Sequence, residues 1–313
     1  MMLISSELEE IVTELEASYW VPFLRTPFED LKTVELSVKA DCPALHAAFS
    51  SFYSNLCAAK ELLEFPYLLV SRLLPEVQAA AGKAQSQRGN IESGVVTDDA
   101  NMAMTVELVT IALQGSRSHL LGNVQLQRLM HQACLLIWSA VETLSKEVFI
   151  ACLNQKPALY TTICKLPQLK DRFSVQQAAW PNLLQSHDFD LNGKLGTIVG
   201  ADRDFSSPQL LKDLYPAIFS GTRAPGFPDG VFESDALMRL GYRRHLVAHR
   251  CGVVDQEYLN KTRDDAQQLG SLLKLRGRDI AEGMGTAASF AMMLYLNASY
   301  CWPRADDVLS EVA

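Results

Sequence analysis

The 313-residue chain has few of the residues that punctuate structure, only 17 glycines and 13 prolines, against a combined share of roughly 12% in an average protein. Turn-dense β-architectures need both at short intervals, so this scarcity, with long stretches free of either, favours helices over such architectures. Long hydrophobic runs are missing too. The most apolar late stretch, 287–302, is broken by Ser289, Asn297 and Ser299 and falls short of the ~20 residues a membrane span needs. The opening MMLISSELEEIVTELE carries acid where a secretory signal carries base, so the expectation is a cytoplasmic chain that crosses no membrane. The seven cysteines (Cys42, Cys57, Cys134, Cys152, Cys164, Cys251, Cys301) include no C-x-x-C pair, which points to reduced thiols acting mostly as small core residues. Positive charge is in deficit, with 28 Lys and Arg against 36 Asp and Glu and a formal charge of -8. That balance argues against wholesale wrapping of nucleic acid or anionic lipid, though it leaves room for a local basic site.

What is present is helical periodicity. Leu3, Ile4, Leu8, Ile11, Val12 and Leu15 recur at three- and four-residue spacing and predict an amphipathic helix over 3–19. Further helices are expected at 44–64 and 66–81, before a polar, glycine-punctuated stretch at 82–99 that reads as a linker. The expected division is 1–97, an N-terminal helical region, and 98–313, a second helical domain. In the latter, Leu129, Ala133, Leu136, Ala140, Leu144 and Val148 mark the longest expected helix, 124–153. Segment 186–204 reads as a loop. Helices are then expected at 208–219, 235–250 (Ser234 as N-cap, Gly252 as stop), 257–275 and 279–298.

Two familiar site patterns fail on chemistry. The glycines at 193, 196 and 200 lack the Lys-Ser/Thr step of a phosphate-binding loop, because Lys194 precedes Leu195, and a flexible surface loop is the better reading. His245 and His249 stand four apart, as zinc-protease histidines do, but Leu246 occupies the place of the catalytic glutamate and no third ligand is evident. No metal site and no cofactor are expected.

Residues 239–250, RLGYRRHLVAHR, hold Arg239, Arg243, Arg244 and Arg250 with no carboxylate, a concentrated basic segment in an acidic chain. At about 100° per residue, Leu237, Leu240, Arg244 and Val247 share one stripe. Arg244 therefore interrupts an apolar face, where a guanidinium must be paired or sit at an interface or ligand site. By the same arithmetic Arg243 points about 120° away, toward solvent.

The block RRHLVAHRCGVVDQEYL, 243–259, resembles the signature of the HEPN superfamily (higher eukaryotes and prokaryotes nucleotide-binding domains), in which Arg is followed after four to six residues by His. Arg244 and His249 match, and His245 matches the polar residue often found after the arginine. The resemblance covers roughly 115–300. It implies an all-α fold, an HEPN-like antiparallel helical bundle with an additional N-terminal helical region, and places Glu142, on the long helix, as the glutamate often near the site; Glu142 and Lys146 also suit an ordinary surface pair. Many members of this superfamily are metal-independent endoribonucleases, often toxins or defence effectors. Their chemistry would give His249 acid/base function and Arg244 the scissile phosphate. His245 and Glu142 would support them, and Arg243, Arg250 and Arg239 would hold flanking RNA phosphates. The products would be a 2′,3′-cyclic phosphate and a 5′-hydroxyl. The resemblance further implies a homodimer with a composite cleft and a possible cognate antitoxin or regulatory protein. Alternatives are a non-catalytic HEPN binding or assembly module working through a protein partner, and an all-α enzyme of another, nucleotide-modifying kind.

Overall fold

The computed structural model describes residues 42–64, 79, 124–220, 222–227, 232 and 235–302. The helix expected at 3–19, most of that at 66–81, the linker at 82–99, the boundary at 97–98 and the Ser234 cap lie outside these residues. Helix accounts for 73% of the described residues, and the one β-like feature among them is an isolated antiparallel bridge between Val253 and Leu272. The fold is all-α.

The helices are α1 (43–64), α2 (Val124–Gln155), α3 (Leu159–Lys165), α4 (Pro167–Phe173), α5 (Trp180–Ser186), α6 (Leu195–Gly200), α7 (Pro208–Phe219), α8 (Asp235–Arg250), α9 (Gln256–Thr262) and α10 (Gly277–Ser299). No helix among the described residues is long and apolar enough to cross a membrane. The chain divides into two compact units. The smaller takes in 59–64, 124–133 and 274–281 of the described residues. There the Gln127 amide pairs with a backbone as a strand would, donating from Nε2 to the Leu275 carbonyl (3.0 Å) and accepting at Oε1 from the Leu275 N–H (2.8 Å).

The larger unit holds 42–58, 134–273 and 282–302 of the described residues. Its centre is the C-terminal two-thirds of α2, which has neither glycine nor proline and buries Ile137, Trp138, Val141, Leu144, Val148, Phe149 and Cys152. The expected stripe is largely covered, Ala133, Ala140, Leu144 and Val148 all being buried, but Leu136 is 39% exposed and the buried arc takes in Trp138 and Val141 instead. Helix α7 buries Leu211, Leu214 and Tyr215, and the Tyr215 hydroxyl joins it to α2 by donating to the Ser145 carbonyl at 2.5 Å. Helix α7 starts where Ser207 accepts from the Leu210 N–H ahead of Pro208 at the first helical position, a standard combination of cap and preset φ.

Segment 186–204, expected to be a loop, contains α6, and the glycines explain it. A Cβ on Gly196 would stand 2.1 Å from the Ile150 carbonyl oxygen, and one on Gly200 would stand 2.9 Å from the Phe149 ring. Their absence lets α6 lie backbone to backbone on α2. Asn154 Oδ1 accepts from the N–H groups of Gly196 (2.7 Å) and Thr197 (3.2 Å), while the Lys146 ammonium donates to the Ala201 carbonyl just beyond the helix. Side chains of α2 thus satisfy both ends of α6.

The helix expected over 257–275 is also corrected. Helix α9 stops at Thr262, where Arg263 turns left-handed (φ 49°) and its N–H caps the Leu259 carbonyl. The chain then returns beside 252–254, through hydrogen bonds from Val254 N to Ser271 O, Gly270 N to Val254 O and Leu273 N to Gly252 O. This return buries Val254 and Leu273 against each other's strand-like segments.

The close approach of α6 makes Gly196→Ala an overpacking change, expected to cost about 1–3 kcal/mol. Gly285, inside α10 with nothing within 4 Å of an added Cβ, should gain about 0.5–1 kcal/mol as alanine. Urea midpoints at unchanged m-value would test both, and equal shifts for the two variants would remove backbone proximity as the role of Gly196.

Candidate functional site

Helix α8 carries every arginine and both histidines singled out above. It ends at Arg250; Cys251 (φ 53°) and Gly252 (φ 79°) then take left-handed conformations, and the Gly252 N–H reaches back to the Leu246 carbonyl at 3.0 Å. This six-residue closure satisfies the end of the helix and turns the chain sharply after His249.

The basic segment is not a patch of unbalanced charge in space. Arg239 meets Glu282 (3.7 Å), Arg243 meets Asp264 (3.7 Å), Arg244 meets Glu142 (3.5 Å) and Arg250 meets Asp255 (3.7 Å). The four carboxylates come from four different parts of the chain, so a run with no acid in its own sequence is paired throughout by the fold.

Arg243, expected to face solvent, is instead the buried member, with 6% of its surface exposed. The reason is local. Tyr258 donates its hydroxyl to Asp264 Oδ2 at 2.9 Å, and the guanidinium lies against both groups, joining α8 to the segment after α9. Burial pushes the Tyr258 phenol up to about 12 despite that cation, and it pushes the Cys134 thiol, also near Arg243, up to about 12. An arginine enclosed in this way is a structural tie, and we remove it from the set expected to hold RNA phosphates.

Arg244 lies on the inward arc of α8, as its stripe predicts, and keeps 23% of its side chain exposed beside Glu142 at 30%. Lys146 and Asp204 complete a charged cluster. Desolvation raises the Glu142 carboxyl above its ordinary value; Arg244 and Lys146 oppose this and Asp204 adds to it. Asp204 is itself pushed up by desolvation, but hydrogen bonds from Ser206 and the nearby Arg244 and Arg172 outweigh that and hold it low; the Ser206 N–H donates to Asp204 Oδ1 at 2.7 Å. In the sequence Asp204 gives no signal beyond an acidic position in the segment 186–204, where a loop is expected.

His245 and His249 are exposed, with ring centroids 4.8 Å apart. The structure therefore brings Glu142 to Arg244 and His245 to His249. It does not bring Arg244 to His249, which leave the helix about 140° apart and share no hydrogen bond among the described residues. Arg250 is largely exposed at 64%, and Arg239 is 30% exposed. Among the described residues no group of three or more His, Cys, Asp or Glu could hold a metal ion. No family model matches the chain, and comparison with curated proteins and with solved structures gives no match.

Because Arg244 lowers the Glu142 carboxyl and Asp204 raises it, Arg244→Ala should move the Glu142 midpoint further up and Asp204→Asn should move it down, read from side-chain ¹³C shifts across a pH titration. The sign extends to stability. A carboxyl held above its unfolded value destabilises the fold increasingly as pH rises from the unfolded midpoint through the folded one, and no longer does so below both. Midpoints that move together in the two variants would dissolve the cluster.

Proposed function

We propose that the chain is a metal-independent endoribonuclease of the HEPN type, its helices forming an HEPN-like antiparallel bundle. The observation that carries this is the arrangement on α8 of two exposed imidazoles, one turn apart, and a partly exposed arginine held by its own carboxylate. RNA cleavage without metal needs a group that exchanges protons near neutrality and a cation for charge developing on phosphorus. His249 takes the proton from the ribose 2′-hydroxyl, or gives one to the leaving 5′-oxygen. Arg244 exchanges Glu142 for the scissile phosphate, which it binds with two parallel N–H donors, and His245 orients the neighbouring ring. Glu142 keeps the guanidinium aimed until RNA arrives. Arg250 and Arg239 take flanking phosphates by releasing Asp255 and Glu282. The products are a 2′,3′-cyclic phosphate and a 5′-hydroxyl, with no cofactor.

The 140° between Arg244 and His249 supports a homodimer, since one phosphate meets both groups most simply when a second copy contributes to the cleft. A cytoplasmic toxin or defence effector restrained by a cognate antitoxin or other regulatory protein fits this chemistry. One observation favours a second reading, a non-catalytic module acting through a protein partner: all four arginines already have carboxylate partners.

Purified wild-type, Arg244→Ala and His249→Ala proteins incubated with total RNA in EDTA distinguish the two. The nuclease reading expects cleavage by wild type, a loss of about 10²-fold or more in each variant, cyclic phosphate ends, and a dimer by light scattering. Wild type as inactive as both variants would favour the module.

A further inference from the structure

We propose that His245 and His249 form a chelating site for a divalent transition-metal ion of the zinc or copper type, distinct from the closed zinc-protease arrangement that Leu246 excludes. The residues lie one helical turn apart on α8, both are exposed, and their ring centroids are 4.8 Å apart. That separation suits chelation. With each nitrogen about 2.0–2.1 Å from the ion, a ring centroid stands about 3.2 Å from it, and centroids 4.8 Å apart then subtend about 97° at the metal. This bite lies between the right angle of tetragonal copper and the tetrahedral angle of zinc, so the spacing of the rings suits a shared ion with one nitrogen of each turned toward it.

Two further features favour a cation here. Among the described residues neither imidazole is engaged in a hydrogen bond or ion pair that binding would break. The neighbouring guanidiniums carry their own counter-ions, Arg244 with Glu142 and Arg250 with Asp255, so a dication approaching the rings meets no unbalanced positive charge. No third protein ligand joins the pair among the described residues. The remaining coordination positions are open to water, and the site is a two-point surface chelate, weaker than a structural four-ligand zinc site. Imidazole ligands and the stability order of the divalent ions place copper above zinc, and hard magnesium, which prefers oxygen, finds no site. Where His249 moves a proton, a consequence that rests on the nuclease reading, a bound ion occupies the same ring and opposes cleavage.

The test uses the full chain without an affinity tag, titrated calorimetrically with CuCl₂, ZnCl₂ and MgCl₂ in a metal-free, non-coordinating buffer. The expected result is one copper or zinc ion per chain at the tightest site, copper tighter than zinc, and no magnesium. His245→Ala and His249→Ala should each weaken that site about tenfold or more, because one imidazole removed converts a chelate into a single contact. In ¹⁵N imidazole spectra with zinc, the resonances of both rings should move together at the same stoichiometry. Absence of binding, binding untouched by either substitution, or a shift of only one ring would overturn the proposal. None of these measurements involves RNA, so failure here and failure of the nuclease reading are separable.

Discussion

The apolar face of α2 has to be covered along the roughly 33 Å of helix from 134 to 155, and that requirement organises the larger unit. A 32-residue helix with neither glycine nor proline satisfies its backbone internally, but its stability comes from tertiary burial of one face. The cover is built from parts of unequal size. Helix α7 brings bulky side chains, while α6 brings almost none and touches α2 with its backbone. Because α6 sits so close, the segment after it passes beside the solvent edge of α2, and this is how Asp204 comes to share a cluster with Glu142. The electrostatics around Arg244 thus depend on two missing side chains at Gly196 and Gly200.

Charge pairing along α8 divides by depth. Near its middle, Arg243 is enclosed and works with Asp264 and Tyr258 as a tie; an ion pair of this kind gives specificity more than net stability, since desolvation offsets much of the attraction. One residue further on, Arg244 occupies a shallower place, 23% exposed beside Glu142. Beyond it the imidazoles stand in solvent. A gradient from enclosed to exposed side chains therefore runs over about two helical turns, and the sharp reversal at Cys251 and Gly252 keeps the following chain from continuing along the axis past its outer end.

Much of the architecture was legible in the sequence, and the exceptions have physical causes. The bounds of α7 and α8 follow directly from proline, polar caps and periodicity, and the structure starts and ends them at the expected residues. The stripe expected on α2 is buried at Ala133, Ala140, Leu144 and Val148 and departs from the expectation at Leu136, because Leu136 and Trp138 are both apolar and only the three-dimensional neighbours decide which is covered. Helix α6 was missed because its glycines signal a turn locally and a close approach only in context. The run after α9 carries leucines at some helical spacing, whereas pairing with 252–254 buries Leu273 fully. At the candidate site, the inward position of Arg244 was accessible by arithmetic. Its neighbour was misplaced because Arg243 is buried through partners 15 and 21 residues away, which no single-helix projection contains.

The pairing of every arginine on α8 has a thermodynamic consequence for any polyanion that settles there. An unpartnered guanidinium meeting a phosphate sets free the ions condensed on the nucleic acid, and dilution of that salt drives association. Here each phosphate must first displace an aspartate or glutamate, which then gathers a cation of its own and returns much of what was released. Association on this face would consequently respond weakly to ionic strength, and its selectivity would rest on the shape of the exchange rather than on the pull of net charge.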